Sequence, residues 1–358
     1  MSPTRATGRT SSRARPRSRA AVVRGWSRLP DEELLKMRFC DLKLSIARSP
    51  LARHLRRLYA DLERRGIRVR PHVWLAQEWF SPDGVPGIAM PFYLAHPRLE
   101  RLERRIMREA EGGNSRLLMR ILRHEAGHAI DNAFKLRLRR QRRQVFGSYK
   151  KPYPESYTPR PYSRSFVLHL DSWYAQSHPD EDFAETFAIW LTPNSEWRQR
   201  YAGWLAAKKL EYMDALMRSV RGKPPRLDNP EEIEPLWRLR KTLRQHYRTK
   251  RRHYGVDYPN FYDRDLRRLF SDAPEFADNI TAAQFIGRIR RATRRVVAEW
   301  TGIYQYTIDQ VIEDMITRSR ELKLRLAVPD EQARQEFTVL LTVQTMNHLQ
   351  SGGHRLFL

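Results

Sequence analysis

The stretch from Arg123 to Asp131 constrains this chain most, because it places two histidines and a glutamate on one predicted helix. Residues four apart share a helix face, so His124 and His128 can present their imidazoles to a single metal ion. Glu125 lies about 100° further around the helix axis, close enough to act on a water bound to that ion without ligating it. The pattern therefore predicts a metal-binding helix.

Apolar side chains on both sides of these residues indicate that the helix is buried. They recur at helical spacing at Leu117, Leu118, Ile121, Leu122, Ala129, Ile130, Ala133 and Phe134. Asn114 or Ser115 is the predicted N-cap, and the small Ala126 and Gly127 are expected to leave room beside the ion. Taken alone, the motif leaves open a helix whose histidines are incidental.

A second helix, predicted to begin at Pro179, supplies further candidate ligands. Its first turn is acidic, with Asp180, Glu181 and Asp182. Glu181 and Glu185 are four residues apart and share a face. A hydrolytic zinc site needs a third protein ligand and an open fourth position for water. A carboxylate of this helix can be that ligand, and one a turn away can orient a ligating histidine. His178 and Asp182 are alternative ligands.

The cysteine content limits the kind of metal site. Cys40 is the only cysteine among the 358 residues, which excludes an internal disulfide framework and a thiolate-based zinc site. A bound metal must rely on nitrogen and oxygen donors, and histidine with carboxylate suits zinc. We therefore expect one tightly bound zinc ion per chain.

The two motifs together resemble a known group of enzymes. His-Glu-x-x-His followed by Glu-x-x-x-Glu on a later helix is the pattern of the gluzincin metallopeptidases. The residues from His178 to Ala188 resemble the bacterial family of putative zinc-binding metallopeptidases, and they are also similar to the catalytic domain of anthrax lethal factor. Both have an acidic residue after the second histidine, here Asp131. In the lethal-factor-like alignment a tyrosine precedes the third ligand by seven positions, where this chain has Tyr174. The resemblance covers roughly residues 65–220.

The resemblance implies a role for each candidate site residue. It makes Glu125 the general base, Glu185 an outer carboxylate that orients a ligand, and Tyr174 a hydrogen-bond donor to the developing oxyanion. The implied zinc ligands are His124, His128 and Glu181. Zinc lowers the pKa of its water to about 7 and polarises a carbonyl, and a glutamate can carry the proton to the leaving amine. For Tyr174, the alternative is an aromatic that packs beside Trp173.

The implied function is a zinc-dependent metallopeptidase that hydrolyses peptide bonds with a zinc-bound water activated by Glu125. Two alternatives stay open. One is a catalytically silent or regulated zincin that binds partners through its basic surface. The other is a zinc hydrolase of a non-peptide bond, because the same ion and acids hydrolyse both kinds of bond.

The order of predicted elements favours an α+β fold with a zincin-like core, mostly helical with a small sheet. The strands Val69–Phe80 and Ile88–Leu94 precede the motif helix, and Ile88–Leu94 is expected near the edge that binds extended peptide. Other predicted helices are 52–66, 97–111, 231–250, 282–299, 303–325 and 330–350. The predicted units are a basic disordered tail over 1–28, the core over 29–222 and a helical extension over 223–358. Residues 147–165 fit no regular element and are expected to form a lid or binding loop.

The net charge of +26 is the unusual bulk property. Such a field attracts acidic protein segments, nucleic acid or anionic membrane, although a solvated shell of arginines is the alternative. The sequence contains no recognisable nucleic-acid-binding motif. The expected partner is therefore a peptide or protein substrate, which can be acidic. The cations from Lys135 to Arg143 are expected to complement the dipole of the motif helix.

The N-terminal tail lacks the apolar run of a signal peptide, and no long apolar stretch follows it in the chain. These features predict a cytoplasmic protein, with a transit peptide as the alternative.

Overall fold

The computed structural model describes residues 25–154, 157, 160, 162–171, 173–254 and 262–350. Residues 1–24 of the predicted basic tail and the whole connection between residues 254 and 262 lie outside these residues. The described chain is mostly helical with two small two-stranded sheets, which confirms the predicted α+β class. Trp26 is already buried and donates a hydrogen bond from its indole nitrogen to the carbonyl of Leu42.

The helices of the first part begin close to the predicted positions. Asn114, one of the two candidate caps, accepts a hydrogen bond from the backbone N–H of Leu117 and so starts the motif helix. The elements of this part are α1 (Asp31–Leu35), α2 (Leu51–Arg64), β1 (His72–Ala76), β2 (Gly87–Pro91), α3 (Pro97–Met107), α4 (Ser115–Phe134), α5 (Arg140–Phe146), α6 (Pro179–Leu191), α7 (Trp197–Arg200) and α8 (Leu205–Val220).

Strands β1 and β2 form a parallel pair beside the motif helix α4, with Val73 opposite Ile88. The hydrogen-bonding groups of β2 are not free at its centre, because Ala89 also exchanges backbone hydrogen bonds with Phe80. The segment at Phe80–Ser81, which the sequence predicted to be the end of a strand and a turn, is therefore the one that lies next to Glu125. At Ala89, β2 is therefore not a free sheet edge, and the site of peptide binding stays a prediction.

Helices α4 and α6 lie at the centre of one large apolar core, and they approach each other closely at Gly127. A Cβ atom on Gly127 would lie 2.9 Å from Cα and 3.2 Å from the carbonyl oxygen of Ala184 on α6. The sequence predicted that the small Gly127 leaves room beside the ion. In the structure, Gly127 instead allows α4 and α6 to pack in direct contact.

The C-terminal part is helical, as predicted, and its last three helices match the predicted positions within a few residues. It contains α9 (Leu243–Tyr254), α10 (Asp263–Leu269), β3 (Phe270–Ser271), α11 (Ala282–Thr301), α12 (Gln305–Glu321), β4 (Arg325–Leu326) and α13 (Asp330–Gln350). A second apolar cluster runs from Tyr262 to Leu341. The first cluster continues past residue 222 to Leu236, Leu243 and Tyr247, so packing does not break at the predicted boundary.

Helix α12 makes polar contacts with preceding parts of the chain. Nε of Arg108 lies 2.7 Å from a carboxylate oxygen of Asp309, and Nε of Arg251 lies 2.9 Å from the hydroxyl of Tyr306. Within the described ranges, each helix is too short or too polar to cross a lipid bilayer.

Candidate metal centre

Helices α4 and α6 bring together one oxygen and two nitrogens that could hold a metal ion. Oε2 of Glu181 lies 2.9 Å from Nε2 of His124 and 3.3 Å from Nε2 of His128, and the two nitrogens are 3.2 Å apart. A tetrahedral zinc ion with bonds of about 2.0–2.1 Å separates its ligand atoms by about 3.3 Å. The spacing of the three atoms therefore fits zinc.

Close contacts among the candidate ligands shift their pKa values in opposite directions. Burial disfavours the imidazolium of His124, but hydrogen bonds with Glu181 and Glu185 outweigh it and raise its pKa well above the usual range. Burial likewise opposes ionisation of Glu181, yet His128 and His124 hold its pKa well below the usual range. The opposite shifts show that the carboxylate and the two imidazoles stabilise one another electrostatically.

Glu185 lies behind His124, away from the group of three. Its Oε1 is 2.8 Å from Nδ1 of His124, and its Oε2 accepts a hydrogen bond from the backbone N–H of Leu170 at 2.8 Å. A carboxylate on the second ring nitrogen fixes the orientation of an imidazole so that the first nitrogen faces the ion. This geometry fits the predicted outer role of Glu185.

Glu125 is buried, and a serine holds its carboxylate. Oγ of Ser81 donates to Oε2 of Glu125 at 2.8 Å. The turn that contains Ser81 is fixed to α4 by the side chain of Asn132, which hydrogen bonds to three backbone groups: Pro82 O, Gly84 N and Val85 O. In the sequence, Ser81 was part of a predicted turn and gave no sign of this contact.

Tyr174 lies beside the first histidine, with its ring centroid 5.5 Å from that of His124. Burial raises the pKa of its phenol well above the usual value, and the charges of Glu181 and Glu125 add to the effect. The phenol is therefore neutral and can donate a hydrogen bond, as its predicted role requires.

The two alternative ligands are occupied elsewhere. His178 caps α6 by accepting from the backbone N–H of Asp180, and its Nε2 is 2.8 Å from the carbonyl of Lys151. The carboxylate of Asp182 lies 2.6 Å from Nζ of Lys209. Neither belongs to the group formed with His124 and His128.

A buried arginine fixes the two ligand helices relative to each other. Nη2 of Arg142 lies 3.1 Å from Oδ2 of Asp131 at the end of α4 and 2.6 Å from Oδ1 of Asp180 at the start of α6. The expectation that Arg142 complements the dipole of the motif helix is wrong, because α4 ends at Phe134 and Arg142 is a fully buried residue of α5.

Tyr153 is the other residue that sequence reasoning missed as part of the site. Its hydroxyl donates to Oε1 of Glu181 at 2.8 Å, and its ring stacks on His178. Although 48% of Tyr153 is exposed, partial burial of the phenol and the charge of Glu181 raise its pKa, so it stays a neutral donor. The only sequence signal was the tyrosine-rich composition of the predicted loop.

Comparison with known proteins gave one match. Residues 98–217 match the family model described as putative zinc-binding metallo-peptidase. The matched segment begins in α3, ends in α8 and contains both ligand helices. No curated protein and no solved structure matched the chain. Over residues 98–217, which include both candidate ligand helices, this chain is therefore similar to the family of putative zinc-binding metallo-peptidases.

Proposed function

We propose that this protein is a zinc-dependent metallopeptidase that hydrolyses peptide bonds and uses Glu125 as general base. The observation that carries the proposal is the spacing of 2.9–3.3 Å among the donor atoms of His124, His128 and Glu181. The family of residues 98–217 supports zinc and peptide hydrolysis at the level of the family.

In this proposal His124, His128 and Glu181 would hold one zinc ion through the three donor atoms. When bound, zinc supplies a Lewis acid that polarises the substrate carbonyl and acidifies a water molecule. Glu125 accepts the proton of the attacking water and delivers it to the leaving amine. The hydrogen bond from Ser81 holds the carboxylate of Glu125 in one orientation during both transfers.

Two further residues complete the proposed chemistry. The neutral phenol of Tyr174 donates a hydrogen bond to the oxyanion that develops on the substrate carbonyl. Glu185 keeps the imidazole of His124 pointing towards Glu181 through the contact at Nδ1. Both proposed roles are supported by contacts with His124.

The test is to incubate the zinc-loaded protein with a diverse peptide library, with and without a chelator, and to sequence the products. The matched control is Glu125→Gln, which removes the base but no ligand and should keep zinc while losing turnover. We expect cleavage by the wild type that the chelator abolishes and the variant lacks. A zinc-loaded wild type that cleaves no peptide would favour the alternatives of a binding-only protein or a hydrolase of non-peptide bonds. Cleavage by Glu125→Gln would show that Glu125 is not the general base.

A further inference from the structure

The two carboxylate oxygens of Glu181 have different partners. Oε2 faces Nε2 of His124 and of His128, whereas Oε1 accepts a hydrogen bond of 2.8 Å from the hydroxyl of Tyr153. A carboxylate can bind an ion through one oxygen or both, and a donor on one oxygen leaves the other free for the metal. The phenol therefore occupies Oε1, and Oε2 is the oxygen that faces the two imidazoles.

Tyr153 is itself held in place at the start of α6. Its ring stacks on that of His178, with centroids 3.8 Å apart and planes inclined by 19°. Nδ1 of His178 accepts from the backbone N–H of Asp180, which assigns the ring proton to Nε2. Nε2 then donates to the carbonyl of Lys151 at 2.8 Å, two residues before Tyr153. One imidazole thus caps the ligand-bearing helix and fixes the segment that carries the phenol.

We infer that Tyr153 is a positioning residue for the zinc site, which fixes Glu181 as a ligand through Oε2 alone. The inference rests on the zinc ligands of the proposed function, but it does not depend on which bond the protein hydrolyses. It also distinguishes Tyr153 from Tyr174: Tyr153 acts on a ligand, whereas Tyr174 lies against His124 and is left for the substrate.

The test compares the zinc affinity of the wild type, Tyr153→Phe and Tyr162→Phe by competition with a chromogenic chelator. Phenylalanine keeps the stack on His178 and removes only the hydroxyl, while Tyr162 is a matched control because it is 87% exposed. Partners behind a metal ligand contribute about 10- to 100-fold to metal affinity, so Tyr153→Phe should weaken zinc binding by that factor. The control should match the wild type.

The outcomes separate this inference from the proposed function. A wild type that takes up no zinc would remove the proposed zinc site itself. A wild type that binds zinc, with Tyr153→Phe binding equally well, would overturn the positioning role alone. If the metal-free wild type and Tyr153→Phe have equal melting temperatures, any loss of zinc affinity arises at the metal site and not from a less stable fold.

A second measurement on the wild type tests whether Tyr153 is a ligand instead. A tyrosinate bound directly to Cu²⁺ gives a charge-transfer band in the visible spectrum, and a phenol that hydrogen bonds to a carboxylate does not. We expect no such band after loading with Cu²⁺. A band that is present in the wild type and absent in Tyr153→Phe would make Tyr153 a metal ligand and overturn the inference.

Discussion

At the scale of single residues, Glu181 and Glu185 share a helix face but contact different atoms of the same histidine. Glu181 meets Nε2 of His124, and Glu185 meets Nδ1. Glu181→Ala should abolish tight zinc binding because it removes a donor atom. Glu185→Ala should weaken it by only about 10- to 100-fold, as expected for a partner behind a ligand. Chelator competition measures both, and the reverse order would shift the ligand assignment by one helical turn.

The predictability of the site residues depends on whether their roles follow from helical spacing. His124, Glu125 and His128 could be identified because one turn of helix determines their relative placement. Ser81 and Tyr153 could not, because they reach the site from segments 44 and 28 residues away from their partners. Their contacts depend on how the chain packs, and no local periodicity encodes that.

At the scale of elements, the close approach of α4 and α6 at Gly127 determines the geometry of the metal site. Gly127→Ala would press a Cβ atom against backbone atoms of Ala184, which cannot move aside without separating the helices. We expect the free energy of unfolding to fall by about 1–3 kcal/mol, as for overpacked cores, and zinc affinity to fall with it.

Gly287→Ala is the matched control for this change. Gly287 lies within α11, is exposed, and has no heavy atom within 4 Å of the position where Cβ would be added. Alanine there should leave zinc affinity unchanged and raise stability by up to about 1 kcal/mol. Urea unfolding and chelator competition on both variants check the pair, and an unperturbed Gly127→Ala protein would contradict the packing account.

The elements themselves could be predicted where periodicity and caps agree, as in α4, α6, α11 and α13. The predicted helix over 231–250 begins only at Leu243, because Pro235 disfavours helical backbone at the residue before it and Glu234 has a φ of 46°. The sequence could not predict that β1 pairs with β2 or that Ala89 pairs with Phe80. Strand propensity can be read from a sequence, whereas strand partners depend on how the chain packs.

At the scale of the whole molecule, a carboxylate at the contact between the segment after α3 and the start of α12 makes stability depend on pH. Glu109 follows α3 and accepts a hydrogen bond from the backbone of Gln305 at the start of α12; burial raises its pKa to about 7. The folded state therefore binds this proton more tightly than the unfolded state, and the free energy of unfolding decreases as pH rises from about 4.5 to 7.

Glu109→Gln should remove this part of the pH dependence. Relative to the wild type, the variant should gain about 1–3 kcal/mol of stability at pH 8 compared with pH 5, from a shift of about two pKa units at about 1.4 kcal/mol each. Urea unfolding at the two pH values measures the difference. Parallel pH profiles for the two proteins would show that Glu109 does not titrate in this range.

The charge of +26 also belongs to the whole molecule, and its role in recognition stays a prediction. Arg140 and Arg143 are exposed on α5, whereas Arg142 is buried against Asp131 and Asp180 and cannot meet a partner. If the field steers acidic substrates, kcat/KM should fall as salt shortens the screening length from about 10 Å at 0.1 M to about 3 Å at 1 M, with kcat nearly constant.

Replacing Arg140 and Arg143 by glutamine should reproduce part of this loss at low salt. Steady-state kinetics with paired acidic and neutral peptides over the salt range provide the measurement. Equal efficiency towards both peptides at every salt concentration would indicate that the arginines form a solvated shell.

Zinc binding itself tests the central claim most directly. Elemental analysis after purification without chelator, followed by zinc titration of the metal-free protein, should give about one zinc ion per chain with the nitrogen and oxygen donors described. His128→Ala, which removes one of the three donors, should bind none tightly. A wild type that neither contains nor takes up zinc, or a His128→Ala variant that retains it fully, would contradict the account.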